Sequence, residues 1–126
     1  MKHVLTLIFL VISSLASAND AKNNWHATSL TEATIKKIQQ SQYQYKKCVM
    51  TEMQKKGYFD VDTRHATEAI IKQCEPVLTK MRQVYLDEKV PDVIADRHLK
   101  KMRIDITRRV LKQMMFVEAA KKAGNQ

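Results

Sequence analysis

The sequence predicts an all-α protein, and three observations support this prediction. Residues that favour helices, namely Ala, Leu, Glu, Lys, Gln, Arg and Met, dominate the composition. Only two glycines and two prolines interrupt the 126 residues, which disfavours turn-rich sandwiches and barrels. Apolar residues also recur at spacings of three and four along the chain. The length suits a single domain.

The first eighteen residues have the pattern of a secretory signal peptide. A short basic start, Met1-Lys2-His3, precedes a largely apolar run from Val4 to Ile12, and Ala16-Ser17-Ala18 fits a small-x-small cleavage site. The apolar run is too short to span the ~30 Å hydrocarbon core comfortably. We expect cleavage near Ala18, which removes 18 of the 126 residues, leaves 108 and places the mature chain in the bacterial periplasm or outside the cell.

Residues 19–28 are polar without an apolar period, so we expect a flexible N-terminal arm anchored by Trp25, followed by a single helical domain over residues 29–126. Ser29-x-x-Glu32 forms a predicted capping box. A first helix is expected from about Ser29 to Lys56, ended by Gly57. Its apolar side carries Ile35, Ile38, Tyr45, Cys48, Val49 and Met53.

A second helix is expected from Thr63, capped by Asp62 or Asp60, to about Lys89. Two apolar rows run along it: Ile70, Cys74, Val77, Met81 and Val84, and beside them Ile71, Leu78 and Tyr85. Pro76 removes a backbone hydrogen bond and predicts a kink near Lys72 or Gln73. Because the rows continue in phase, we expect one kinked helix and not two.

Cys48 and Cys74 are the two cysteines of the chain, and export favours a disulfide between them. A redox-active pair usually has the spacing CxxC, which these two lack. Cys48 lies nine residues before Gly57 and Cys74 eleven after Thr63, so both are ~14 to ~17 Å from the intervening turn. In an antiparallel hairpin such cysteines could face each other at the Cα separation that a disulfide needs.

A third helix is expected from Pro91 in its first turn to Gly124 as its cap, about 48 Å long. The predicted fold is a disulfide-stapled antiparallel helical hairpin plus this long third helix, similar to a three-helix bundle. The expected core face of the third helix, interrupted by Gln113, consists of Ala95, Leu99, Met102, Ile106, Val110, Val117 and Ala120.

The third helix also concentrates positive charge. The formal net charge is +9, or +8 once Lys2 leaves with the signal peptide, and from Arg97 onward nine Lys or Arg residues accompany only Asp105 and Glu118. A helical wheel places a basic ridge opposite the core face, with apolar residues beside it. The predicted partner-binding residues are Arg97, Lys101, Ile104, Arg108, Leu111, Lys112 and Met115.

Several interpretations of the basic side of the third helix remain open. The basic ridge is either a solvated face that keeps the protein soluble or a docking surface for an acidic protein, an anionic lipid or an envelope polyanion. The apolar residues beside it either pack under another segment, such as the N-terminal arm, or contact a second subunit or a partner. Nucleic acid is disfavoured by export and by the lack of a recognised binding motif. Membrane-surface binding needs a broader apolar face and is not favoured.

The sequence contains no convincing catalytic constellation and predicts no cofactor. It has no nucleophile elbow and too few glycines for a phosphate-binding loop. Asp62, His65 and Glu68 come closest to a local metal set, but capping explains the carboxylates, and His26 and His98 lie in other segments. Asp60 and Asp62 are likewise explained by capping.

Methionine offers a further candidate ligand. Met50 and Met53 lie one helical turn apart, and thioethers bind Cu(I), although core filling explains most methionines, including Met81 and Met102. We therefore expect a small exported, non-enzymatic helical protein that binds an acidic protein partner, of chaperone, inhibitor or immunity type. This expectation rests on similarity of size, compartment and architecture. The alternative is a periplasmic copper-handling protein with methionine or histidine ligands. A third hypothesis is an unrecognised hydrolase, which would require a buried cleft with convergent polar groups.

Overall fold

The computed structural model describes residues 30–124; helices make up 88% of these residues, with no strand among them, so the all-α prediction is confirmed. The elements in chain order are α1 (Glu32–Met53), a short 3-10 helix (Lys56–Asp60), α2 (Thr63–Gln73), α3 (Glu75–Asp87) and α4 (Asp92–Gly124). The predicted signal peptide, the N-terminal arm with Trp25 and His26, and Ser29 lie outside the described residues.

Helix α1 begins three residues later than the sequence predicts. Thr31 is the N-cap, and its hydroxyl accepts a hydrogen bond from the backbone N–H of Thr34 at 3.1 Å. Glu32 is therefore the first helical residue, and the predicted capping box involves Ser29, which lies outside the described residues. Thr34 is buried whereas Ile35 is 41% exposed, contrary to the predicted apolar stripe, because the Thr34 hydroxyl donates to Glu88 at 2.8 Å.

The end of α1 also differs from the prediction. The helix stops at Met53, and Gly57 lies inside the 3-10 helix without a positive φ, so Gly57 does not cap α1. The carboxylate of Glu52 accepts hydrogen bonds from Lys55 at 2.6 Å and from the Tyr58 hydroxyl at 2.9 Å. These two side-chain contacts hold the chain as it turns away from the helix axis.

The predicted single kinked helix is wrong, because the structure contains two helices separated at Cys74. Asp62 caps α2 as predicted, accepting from the backbone N–H groups of Arg64 and His65. At the other end of α2, Cys74 leaves the helical region, with φ −96° and ψ 0°. Pro76 cannot donate a backbone hydrogen bond to the preceding turn, and it occupies the first turn of the new helix, α3.

The α2–α3 segment packs on both of its sides, which explains its two apolar rows. Helix α1 packs mainly on α3, while α4 packs on α2 and on α3. The disulfide between Cys48 and Cys74 is present, with Cα atoms 5.9 Å apart, and it joins α1 to the break between α2 and α3. The predicted pairing of the two cysteines is thus confirmed. Tyr45, Ile70, Met81 and Tyr85 are among the most buried core side chains.

Helix α4 buries a face that differs from the predicted one at two positions. Met114 is buried and takes the place that the predicted face left to Gln113, because it lies one turn beyond Val110. Ala120 is exposed, although the neighbouring Lys121 still contacts Phe59 and Asp60 of the 3-10 helix. None of the helices in residues 30–124 combines the length and hydropathy of a bilayer-spanning helix.

Candidate functional site

The predicted partner-binding residues share one side of α4, which we call the outer face. This face consists of Arg97, Lys101, Ile104, Arg108, Leu111, Lys112 and Met115. All seven are exposed, and the apolar members Ile104, Leu111 and Met115 retain 39%, 38% and 57% of their accessible surface. Their spacings of seven and four residues align them along the helix. The structure therefore leaves an apolar strip exposed, with basic side chains beside it.

Most charged side chains of the outer face have no ion-pair partner in the part of the chain that the structure describes. Lys101 is bonded to Asp105 at 2.7 Å, and this contact is the main reason that the pKa of Asp105 is lowered. Arg97 and Arg108 have no carboxylate of residues 30–124 within ion-pair distance. The ammonium of Lys112 lies 6.0 Å from the ring centroid of Phe116, in cation–π range. Free cations flanking apolar side chains suit an acidic ligand.

A groove between α1 and α4 is a second feature, which the sequence did not reveal. Its first section has a volume of about 320 Å³ and is lined by Gln42, Lys46, His98, Lys101, Met102, Asp105, Ile106 and Arg109. Its second section has a volume of about 400 Å³ and is lined by Met50, Met53, Gln54, Phe59, Gln113, Met114 and Val117. The groove depends on which helices lie side by side, and this information is absent from the periodicity of any one helix.

The candidate copper ligands lie in the second section of this groove. Met50 is 62% exposed and Met53 is partly buried, and Met114 brings a third thioether from α4. The core-filling role predicted for Met81 is confirmed, since it is 1% exposed, and Met102 packs against the core. The set of candidate thioethers is therefore larger than the sequence pattern suggested.

His65 and His98 occupy separate environments. The His65 ring contacts Asp62 at the start of α2, and this carboxylate raises the pKa of His65. His98 packs edge-on against Tyr85, with ring centroids 6.0 Å apart. Among residues 30–124, no three His, Cys, Asp or Glu side chains are placed to hold a metal ion together. The local set of Asp62, His65 and Glu68 is thus a capped helix start with one ion pair.

A further concave surface lies between α1 and α3 and has mixed charge. Its volume is about 470 Å³, with Val77, Met81 and Val84 at its apolar side. Lys37 and Glu88, on its rim, are paired with each other at 2.5 Å. The paired rim charges give this surface less preference for an anionic ligand than the outer face has.

Comparisons with known proteins found no match: no family model, curated protein or solved structure is similar to the chain. The function must therefore be argued from the surface chemistry of the residues themselves.

Proposed function

We propose that this chain is a small exported, non-enzymatic protein of chaperone, inhibitor or immunity type that binds an acidic protein of the cell envelope through the outer face of α4. One observation carries the proposal: Ile104, Leu111 and Met115 are exposed together on a helix side that also presents uncompensated cations. Burial of such an apolar strip against a partner is favourable by about 25 cal/mol for each Å² removed from water.

The arrangement suits a protein interface because its two components have different roles. The apolar strip can form the dehydrated centre of a contact, and the surrounding cations can form its polar rim. Arg108 and Lys112 would attract a partner of opposite charge and reject a basic one. An acidic partner follows from this complementarity.

Two further features support the proposal. The Cys48–Cys74 disulfide is compatible with an oxidising compartment such as the periplasm, in keeping with the signal peptide expected in residues 1–18. We also propose that the helices form a bundle of three layers, with the α2–α3 segment in the middle. Such a bundle holds α4 by its core face and leaves its opposite side available to a partner.

The decisive experiment reverses the charge of the outer face. The variant Arg108→Glu/Lys112→Glu should lose crosslinked capture of an acidic envelope protein while keeping the melting temperature of the wild type. The matched control is Lys47→Glu/Lys80→Glu, which changes the net charge equally at two exposed positions of α1 and α3.

The expected result is loss of the captured protein in the first variant and retention in the control. Capture should also weaken as salt is raised, since exposed charges are screened. Undiminished capture by Arg108→Glu/Lys112→Glu, or equal loss in the control, would exclude the outer face as the binding surface.

A second candidate function is copper handling, and the position of Met114 favours it. Three thioethers, from Met50, Met53 and Met114, line one section of the α1–α4 groove, and soft thioether ligands select Cu(I). The purified protein should then remove Cu(I) from a chromogenic chelator at stoichiometric metal, and Met50→Leu/Met53→Leu should abolish the transfer. No transfer to the wild-type chain would rule out this function.

A further inference from the structure

The two sections of the groove between α1 and α4 follow one another along both helices. On α1 the first section reaches Lys46 and the second begins at Met50, one helical turn later. On α4 the sections meet between Arg109 and Gln113, again one turn apart. Residue numbers thus increase along the groove on both walls, so α1 and α4 run in the same direction on either side of it.

The groove exists because α1 and α4 pack on the α2–α3 segment and make little direct contact with each other within residues 30–124. Its length along α4, from His98 to Val117, is about 28 Å at 1.5 Å per residue. A helix of about five turns has the same length. The floor is closed by side chains that also belong to the core, such as Met102 and Ile106.

The two sections differ in chemistry. The first has a basic rim, formed by Lys46, Lys101 and Arg109 over an apolar floor. Its one carboxylate, that of Asp105, is already bonded to Lys101 at 2.7 Å. The second section has no charged side chain among its lining residues and is bordered by methionines, of which Met50 is 62% exposed.

We propose that this groove is a second binding site, which receives an amphipathic α-helix with an acidic flank from a partner protein. A helix satisfies its own backbone hydrogen bonds, so it can enter an apolar groove without leaving buried N–H and C=O groups unpaired. Its apolar side would contact the floor, and its carboxylates would lie against Lys46 and Arg109. Unbranched methionines adapt to the shape of the incoming side chains.

This proposal does not depend on the outer face. The two surfaces lie on different sides of α4 and share Lys101 alone. Substitutions at their other residues therefore distinguish binding to the groove from binding to the outer face. Arg109 belongs to the groove and Arg108 to the outer face, and replacing either by Glu changes the net charge equally.

The test uses a fluorescein-labelled peptide of about 20 residues, long enough to fill the groove as a helix. Leucines are placed at spacings of three and four, with glutamates on both sides of them. Fluorescence anisotropy measures its binding to the oxidised mature chain. A peptide of identical composition, with its leucines spread around the helix, controls for charge attraction alone.

We expect micromolar binding of the amphipathic peptide and about tenfold weaker binding by Met50→Glu and by Arg109→Glu, each at an exposed position. Lys47→Glu lies outside the groove and changes the net charge by the same amount as Arg109→Glu, so it controls for charge and should bind within twofold of the wild type. Melting temperatures of all variants confirm that the fold is kept.

The proposal would be overturned by no binding of the amphipathic peptide, by equal binding of the two peptides, or by unchanged binding in both groove variants. If Arg108→Glu were the only variant that weakened binding of the peptide, the peptide would bind to the outer face. This result would reject the groove as the binding site without contradicting the proposed function. Photo-crosslinks from the leucine side of the peptide should fall on both α1 and α4, and crosslinks to α4 alone would also reject the groove.

Discussion

Tyr45 offers the sharpest test of the core packing, because its hydroxyl is buried without a hydrogen-bond partner in residues 30–124. The side chain is 0% exposed. Burial is the main reason that its pKa is raised to about 12, with a smaller contribution from the negative charge of Glu75. Within residues 30–124, folding therefore removes this hydroxyl from water without a compensating hydrogen bond.

The expected effect of Tyr45→Phe follows from two opposing contributions. An unsatisfied buried polar group costs about 1–3 kcal/mol, and Phe removes that cost. The space left by one oxygen atom costs only a few tenths of a kcal/mol at about 24 cal/mol per Å³. We therefore expect Tyr45→Phe to raise the free energy of unfolding by about 1 kcal/mol, or the melting temperature by about 4–8 °C for a domain of this size.

The matched control is Tyr85→Phe. Tyr85 is 2% exposed, but its hydroxyl accepts a hydrogen bond from Gln42 at 3.0 Å. Loss of this hydrogen bond in Tyr85→Phe should lower the free energy of unfolding by about 0.5–1.5 kcal/mol. Urea denaturation and thermal melting of both variants give the comparison. If Tyr45→Phe proved as destabilising as Tyr85→Phe, the Tyr45 hydroxyl would have a partner, and the reasoning would be refuted.

Two further perturbations test the fold. Replacing both Cys48 and Cys74 by Ala should lower the free energy of unfolding by about 3.5 kcal/mol, the chain-entropy value for a closed loop of 26 residues; a change below about 1 kcal/mol in urea denaturation would show that the bond adds little. The pKa of Glu88 is lowered from 4.5 chiefly by the hydrogen bond from Lys37 and further by that from Thr34. Because its pKa is lower in the folded state, ionised Glu88 stabilises the fold at pH values above its ordinary pKa. This stabilisation is lost as the pH falls through the folded-state pKa. Melting temperature should therefore fall as the pH is lowered below the ordinary pKa of 4.5, and it should fall less steeply in Glu88→Gln. Equal slopes of melting temperature against pH in the two proteins would contradict this role of Glu88.

The helix boundaries show where local patterns stop being sufficient. Asp62 was correctly predicted as a cap because a cap is a contact between residues close in sequence. The start of α1 was not correctly predicted, since Thr34 is also bonded to Glu88, which follows α3 and is distant in sequence. Pro76 predicted a distortion near the right place, but the apolar rows, which continue in phase, did not show that the helix breaks at Cys74.

The two candidate surfaces also differ in whether the sequence could predict them. All members of the outer face lie on one helix, so the 3.6-residue repeat alone could group them. The groove combines residues of α1 with residues of α4, such as Met53 with Met114. No spacing in the sequence indicates that these two would line the same cavity.

The amino-acid sequence by itself determined the helical class, the partner of each cysteine and the basic side of α4, because helix propensity, the number of cysteines and residue spacing are local or countable properties. The tertiary structure decided the break at Cys74, the burial of Met114 in place of Gln113 and the existence of the α1–α4 groove. These features depend on which helices lie next to each other. That choice is made by side-chain packing between segments distant in sequence, which periodicity within one segment does not encode.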